Sequence, residues 1–165
     1  MKLLAKISNI CFRFERILAV LLFAFMTTSI LLGVIFRYFL NDPLKWTDEF
    51  AMFALVWITF IGGSMSIKLQ KAAVMSFVMD RLSPGSRKVF LALAMLLVLA
   101  FSAFLLYLSL KWITNPHIML QRSQAVGLPM VIPYVAIPLG FFFMTIHALE
   151  LFFGFFGKSR QEGGA

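Results

Sequence analysis

Four long apolar runs alternate with short polar segments along the chain. The runs cover residues 17–36, 50–67, 89–110 and 131–149, and the only Asp, Glu, Lys, Arg or His residue in them is His147, near the end of the fourth. At a rise of about 1.5 Å per residue, each run is long enough to cross a hydrocarbon layer of about 30 Å as a helix. In lipid, only a helix or a closed barrel satisfies its own backbone hydrogen bonds. The pattern therefore predicts an all-α integral membrane protein with four transmembrane helices.

Composition supports a bilayer rather than water as the solvent. Of the 165 residues, 61% are hydrophobic and 13% are charged, and the mean hydropathy is +0.92. A water-soluble domain of this size needs far more polar surface. No linker, repeat or low-complexity tract divides the chain, so we expect one membrane domain over residues 1–165.

Basic residues are distributed unequally between the two sides of these runs. Eleven Lys and Arg lie in the N-terminal segment, the central loop and the C-terminal segment. Four lie in the other two connections: Arg37, Lys45, Lys111 and Arg122. By the positive-inside rule, the bias predicts that both termini lie in the cytoplasm, with the chain in a bacterial inner membrane. The net charge of +8 is therefore explained by topology, and we expect no nucleic-acid partner.

The N-terminal segment has an amphipathic pattern ahead of the first run. Its basic and polar positions are Lys2, Lys6, Asn9, Arg13 and Arg16, and its apolar positions are Leu3, Leu4, Ile7, Ile10, Cys11, Phe14 and Ile17. This spacing predicts an interfacial helix with its basic face toward lipid headgroups. A cleaved signal peptide is the competing interpretation, but the run is about twice the usual length and no small-x-small site precedes Phe36.

The central loop contains a second amphipathic stretch. Val74, Phe77, Val78 and Leu82 share one helical face before Pro84. The stretch is either an interfacial helix or an extension of the second transmembrane helix, and the pattern does not decide between them.

Charged residues cluster between the first and second runs. Asp42 followed by Pro43 is typical of a helix N-cap and first turn, which predicts that the second helix begins before its apolar run. Asp48 and Glu49 would then lie in its early turns. Arg37 and Glu49 are either interfacial charges, paired across the hairpin, or part of an interface with a partner subunit. The aromatic side chains Tyr38 and Trp46 fit the aromatic belt of the same interface.

Candidate chemistry is sparse. His147 and Glu150 share a helical face, but His117 is the only other histidine and lies in a loop on the opposite side, so paired haem ligands are not expected. Cys11 is the only cysteine, and no phosphate loop or nucleophile motif occurs. We expect no enzymatic activity, no cofactor and no metal.

Small residues four positions apart predict close helix contacts. Ser29 and Gly33 form one such pair, and Gly62 and Ser66 form another, widened by Gly63. Either pair is suited to packing within the chain or to docking a helix of another protein. In addition, three prolines predict a bent start to the fourth helix: Pro129, Pro133 and Pro138.

Several of these residues together resemble the small membrane subunit, of DctQ type, of tripartite ATP-independent periplasmic (TRAP) transporters. The similar positions are Arg37-Tyr38, Pro43-Leu44-x-Trp46-x-x-Glu49, Trp57-x-x-Phe60-x-Gly62, Ala125-x-Gly127-Leu128-Pro129 and Tyr134-x-x-Ile137-Pro138-x-Gly140. The resemblance covers nearly the whole chain.

The resemblance implies a sodium-coupled importer in which a periplasmic binding protein delivers an organic acid to a large membrane subunit. The small subunit would be a non-catalytic brace that docks on the large subunit within the lipid bilayer. The candidate interface or structural residues are Arg37, Tyr38, Trp46, Glu49, Trp57, Gly62, Gly63, Ser66, Gly127, Pro129, Tyr134 and Pro138. The alternatives are a self-sufficient four-helix exporter, which needs a carboxylate within a span, and a membrane anchor of a redox complex.

Overall fold

The structure, a computed structural model, describes residues 2–69 and 84–162 and is helical in nearly all of them. The helices are α1 (Lys2–Tyr38), α2 (Lys45–Lys68), α3 (Pro84–Ile113), α4 (Pro116–Leu120), α5 (Val131–Tyr134) and α6 (Ala136–Glu162). Four segments are long and apolar enough to cross a membrane: Leu3–Tyr38, Lys45–Lys68, Val89–Ile113 and Val131–Phe155. The predicted all-α fold with four apolar helices is confirmed.

The N-terminal amphipathic segment is helical, as predicted, but it is not a separate element. It continues without a break into the first apolar run, so that α1 has 37 residues. The outward face of its first part carries Leu3, Ile7, Ile10, Phe14 and Ile17. A second face, which includes Ser8 and Glu15, is buried against the rest of the chain. The segment is therefore the first part of α1 and packs against other helices of the chain through this buried face.

Helix α2 begins at Lys45, before its apolar run, as predicted. The predicted cap was wrong, because the N-cap residue is Leu44 rather than Asp42; Leu44 is extended and makes no side-chain capping bond. Instead, the Thr47 hydroxyl donates to the Leu44 carbonyl over 2.8 Å. Asp48 lies in the first turn, as expected. The amphipathic stretch predicted around Val74 lies outside the described residues.

The long helices pack in the order α1, α2, α6, α3. The largest contacts are those of α1 with α2, of α2 with α6 and of α6 with α3, and α1 also touches α6. One end of this bundle, here called the terminal end, brings together the first part of α1, the end of α2 and the second half of α6. The opposite end, the loop end, holds the α1–α2 turn and the segment between α4 and α5.

The interior contains small and polar side chains, whereas the large apolar ones point outward. The buried apolar residues in the described part are Ala54, Ile61, Ala136 and Ala148, and the buried polar ones include Ser29, Thr47 and Ser102. Large side chains such as Phe23 and Phe101 are more than 60% exposed. This distribution is expected where lipid is the solvent and close packing of small residues holds helices together.

Glycine sets two of the helix contacts. A Cβ atom at Gly33 would lie 2.8 Å from the Thr47 hydroxyl of α2. A Cβ atom at Gly140 would lie 2.6 Å from Phe60 Cβ and 3.2 Å from the Phe60 carbonyl oxygen. The backbones of α2 and α6 therefore meet at Gly140, which the sequence pattern of small pairs did not single out.

The two predicted small pairs have different surroundings. Ser29 is buried and Gly33 meets Thr47, so this pair packs α1 within the chain. Gly62 and Ser66 are exposed, and nothing lies within 4 Å of a Cβ at Gly62. Gly63 differs from its neighbour, since a Cβ there would meet the flexible Met144 side chain at 2.7 Å.

The proline-rich start of the fourth apolar segment, where the sequence predicted a bend, is divided into two helices. Helix α5 ends at Tyr134 and α6 begins at Ala136, with Val135 between them. Pro133 and Pro138 are buried at this junction. Because proline has no amide hydrogen, the junction lacks regular helix bonds at these positions.

Candidate functional site

Arg37 at the end of α1 forms an ion pair with the first turn of α2. Its Nη2 atom donates to Asp48 Oδ2 over 2.7 Å. The sequence suggested Glu49 as the partner across this hairpin, and the structure shows Asp48 instead. Both side chains of the pair are about half exposed or more, so we expect it to contribute little to stability.

Glu49 instead contacts the segment between α4 and α5. Its two carboxylate oxygens accept hydrogen bonds from the backbone amides of Gln124 and Ala125, over 3.1 and 3.2 Å. A carboxylate that accepts from two consecutive amides is a strong, charge-assisted anchor. Glu49 thus ties α2 to a loop 75 residues further along the chain.

The loop that Glu49 holds is a compact turn. The Ser123 amide donates to the Leu128 carbonyl over 2.8 Å, and the Ser123 hydroxyl accepts from the Leu128 amide over 3.2 Å. Gly127 has a φ of +72°, which residues with a Cβ atom rarely adopt. The loop therefore needs glycine at this position, and its Ala125-x-Gly127 sequence supplies both the turn and an amide for Glu49.

Replacing Glu49 by Gln is expected to loosen this loop. One acceptor oxygen and the negative charge are lost, and the new amide group faces a backbone N–H. We expect the Gln124 and Ala125 amides to exchange hydrogen roughly fivefold faster, equivalent to about 1 kcal/mol of local opening free energy. Hydrogen exchange read by mass spectrometry measures this. The Asp48→Asn variant is the control, since it alters the neighbouring carboxylate and leaves the loop contact intact; equal exchange in both variants would contradict the anchor.

Aromatic candidates lie around the same end of the bundle. Trp46 packs edge-on against Phe50, with ring centroids 5.7 Å apart, and Tyr134 packs on Trp112 at 5.0 Å. Tyr38 is 72% exposed. Trp46 and Tyr134 therefore act first in internal packing, whereas the Tyr38 side chain is available for an outside contact.

One face of α2 is covered by no helix in the described part of the chain. Its exposed residues recur at spacings of three and four: Met52, Leu55, Thr59, Gly62 and Ser66. Such spacing places them in one stripe along the helix. The stripe begins with large apolar side chains and ends with small ones, which leaves a shallow recess over Gly62. We call it the outer face of α2; Trp57 is half-buried and lies off it.

A buried polar cluster occupies the terminal end of the bundle. His147 of α6 is fully buried between Ser8 and Glu15 of α1, with Nδ1 2.6 Å from the Ser8 hydroxyl and Nε2 2.8 Å from Glu15 Oε2. The Ser8 hydroxyl also donates to Glu150 Oε2 over 2.6 Å. Glu150 forms an ion pair with Lys68 at the end of α2. These five residues, the buried polar cluster, join three helices.

The sequence placed His147 and Glu150 on one helical face but did not indicate their partners on α1. Ser8 and Glu15 are seven residues apart and therefore lie on one face of α1. Small or half-buried residues extend the same face: Leu4, Ala5, Cys11, Phe12, Leu18 and Ala19. This stripe lies between the basic face and the exposed apolar face. The sequence analysis divided the segment into only those two faces, so the buried stripe was not predicted.

The cluster is built for hydrogen bonding rather than for binding a metal. Both ring nitrogens of His147 are within hydrogen-bond distance of protein oxygens, so neither faces an open position. Among the described residues, no group of three or more His, Cys, Asp or Glu side chains is placed to hold a metal ion. The arrangement can hold protons and charges between helices.

Four apolar helices, a small-residue interior and ionisable side chains toward the two ends define a multi-pass membrane protein. Residues 16–157 match the family described as "Tripartite ATP-independent periplasmic transporters, DctQ component". The chain belongs to this family, the small permease subunits of TRAP transporters, which confirms the resemblance.

Named relatives show the same relationship. The chain is 28% identical to the ectoine TRAP transporter small permease protein TeaB of Halomonas elongata, over 89% of this chain and 76% of the relative. It is 26% identical to the C4-dicarboxylate TRAP transporter small permease protein DctQ of Vibrio cholerae, over 76% of this chain and 64% of the relative. A third relative, the isethionate TRAP transporter permease protein DctMQ of Oleidesulfovibrio alaskensis, is 29% identical over 64% of this chain but only 16% of its own length.

Proposed function

We propose that this chain is a non-catalytic bracing subunit that docks on the large membrane subunit of a sodium-coupled TRAP transporter. A periplasmic binding protein would deliver an organic acid to that complex, and the large subunit would move it. The observation that carries the proposal is the family match over residues 16–157, together with the relative DctMQ, in which the matching region is a small part of one longer permease chain. Fusion of two units in a relative is expected when the separate units form a complex.

The distribution of ionisable residues favours a bracing role for this chain over transport by the chain itself. The central parts of the four apolar segments contain no Asp, Glu, Lys, Arg or His. Polar cargo and coupling ions need such partners at membrane depth. The relatives are named for ectoine, isethionate and C4-dicarboxylates, which suggests that similar small subunits serve transporters of different solutes.

We further propose that both termini are cytoplasmic. Along the sequence, eleven of the fifteen Lys and Arg residues lie in the N-terminal segment, in residues 68–88 and in the C-terminal segment. The positive-inside rule places these segments, and with them the terminal end of the bundle, on the cytoplasmic side of the inner membrane. The loop end, with Glu49 and Gly127, would then face the periplasm and the binding protein.

The outer face of α2 is the surface we assign to the large subunit. Gly62 and Ser66 are exposed and four residues apart, which allows a helix of a neighbouring protein to approach closely. Among the residues that the structure describes, no helix occupies the recess at Gly62, whereas Thr47 packs against Gly33 and Phe60 packs against Gly140.

The Gly62→Leu variant tests this assignment. A Cβ atom at Gly62 would meet nothing within 4 Å in the described part of the chain, so a leucine side chain there starts in open space. We expect about a tenfold loss of copurification with the large subunit, because the leucine side chain would prevent the close helix approach that small residues allow. Unfolding of the isolated variant should be unchanged. Gly154→Leu is the matched control, since its Cβ position is equally open but lies on α6.

Solute uptake tests the function itself. Vesicles that contain the large subunit, this chain and the binding protein should take up solute with a sodium gradient, and the rate should fall when this chain is omitted or carries Gly62→Leu. Full uptake by the large subunit without this chain would overturn the bracing role. Proton-coupled efflux by vesicles with this chain alone would favour the exporter instead.

A further inference from the structure

Two members of the buried polar cluster are sealed from water, although both can carry a charge. Glu15 and His147 are each fully buried. Glu15 Oε1 has no hydrogen-bond partner in the described structure, and Glu15 Oε2 contacts His147. A buried carboxylate is stable only when it is paired or neutral. Whatever balances the Glu15 charge must therefore act through the His147 contact.

The hydroxyl of Ser8 fixes the proton on one side of the imidazole. Ser8 has a single O–H hydrogen, and it donates that hydrogen to Glu150 Oε2. Its oxygen is then an acceptor toward His147 Nδ1, 2.6 Å away. Nδ1 must therefore carry a hydrogen.

The opposite side of the ring also requires a hydrogen. Nε2 of His147 lies 2.8 Å from Glu15 Oε2, and two bare acceptors at that distance would repel. One proton must lie between them, on Nε2 or on the carboxyl group. A proton on Nε2 makes this contact a charge-assisted hydrogen bond, which is stronger than a bond between neutral groups.

We propose that the buried polar cluster is a proton-binding site that fastens α1 to α6, with His147 held as an imidazolium between Ser8 and Glu15. In this state the positive charges of His147 and Lys68 balance the negative charges of Glu15 and Glu150. The titratable and charged groups that the described part of the chain gathers around the ring are Glu15, Cys11 and Arg16 on α1, Lys68 on α2 and Glu150 on α6.

Two neighbours fit this charge assignment. The Phe12 ring meets His147 edge-on, with centroids 6.5 Å apart, and covers it from the side of α1. The Arg16 guanidinium lies over the same ring, 5.5 Å from its centroid. His147 is fully buried, so Ser8 and Glu15 are the direct hydrogen-bond partners of the imidazolium.

Nitrogen NMR of the full chain in lipid vesicles tests the proton count directly. The chain contains two histidines, and His117 is exposed, so a His117→Gln variant labelled with ¹⁵N-histidine reports on His147 alone. We expect two protonated ring nitrogens at neutral pH. One bare nitrogen would overturn the proposal.

Substitution of the partner provides the matched comparison. Glu15→Gln removes the balancing charge and offers an amide that can donate to Nε2, so we expect one bare nitrogen in that variant, with Nδ1 still protonated. Asp48→Asn, which alters an exposed carboxylate at the other end of the bundle, should leave two protonated nitrogens. If Glu15→Gln keeps both nitrogens protonated, Glu15 does not hold the proton and the proposal fails.

The single cysteine reports whether the site fastens the helix. Cys11 lies between Ser8 and Glu15 on the buried face of α1 and is half-buried. At one fixed pH, His147→Gln, which leaves the Glu15 carboxylate beside Cys11 in place, should raise the rate of maleimide labelling at Cys11 at least severalfold, whereas Asp48→Asn should not. Unchanged labelling in His147→Gln would show that the cluster does not hold α1 in place. Both measurements use this chain alone, so their outcome is independent of whether it docks on a large subunit.

Discussion

Replacing Gly140 by Ala is expected to lower the free energy of unfolding by about 1–3 kcal/mol, the usual cost of inserting a methyl group into a tightly packed site. The new Cβ would lie 2.6 Å from Phe60 Cβ and 3.2 Å from the Phe60 backbone oxygen. Neither atom is the end of a flexible side chain, so α2 and α6 must separate. This cost should exceed the gain of up to about 1 kcal/mol that alanine brings to a helix.

Two other glycines of the same bundle provide graded controls. Gly62→Ala enters open space and should be neutral or slightly stabilising. Gly63→Ala would meet the terminal methyl of Met144 at 2.7 Å, and since that side chain can move, we expect a small effect. Reversible unfolding in bicelles measures all three variants. Equal stability of Gly140→Ala and Gly62→Ala would contradict the proposed helix contact.

The second large effect is expected at His147, where removing one partner should be worse than removing both. His147→Leu leaves Glu15 fully buried without the one hydrogen-bond partner it has among the described residues, and breaking a buried ion pair in this way costs about 3–5 kcal/mol. The double variant Glu15→Leu/His147→Leu places two apolar side chains there instead. Since replacement of a buried pair by apolar groups is often nearly neutral, the double variant should regain most of the loss.

A double-mutant cycle under one condition measures this interaction. The exposed pair Arg37 and Asp48 provides the comparison, because its coupling should be below about 1 kcal/mol. If the Glu15 and His147 losses simply add in the double variant, the two residues do not act as a pair. That outcome would also remove the charge argument for the proton site.

The number and position of the apolar helices could be predicted from sequence because lipid imposes a simple rule. A helix in lipid needs about twenty apolar residues and satisfies its own backbone bonds, so each span is set locally. An irregular start of the fourth apolar segment, which is divided near Pro133 and Pro138, could also be expected from a local property, the missing amide hydrogen. Family membership was likewise visible in short motifs such as Ala125-x-Gly127, where glycine is needed for a positive φ.

Contacts between distant segments could not be predicted in the same way. Two consecutive acidic residues follow Arg37 across the α1–α2 turn. Only the packing of this hairpin decided that Asp48 pairs with Arg37 and that Glu49 contacts the loop at Gln124. The small pairs looked equivalent as spacings, but Gly33 faces Thr47 and Gly62 faces outward.

The sequence by itself therefore determined the solvent, the helices and the family of this protein, because hydrophobicity and helix geometry act along the chain. The tertiary structure alone decided which small residues have another helix packed against them and which acid pairs with which base. It also decided that Glu15 and His147 share one buried site. Those outcomes depend on residues up to 132 positions apart that meet only when the helices pack. The physical reason is that the charge of Glu15 is stable in a dry interior only with its partner beside it, and no local pattern carries that partner's identity.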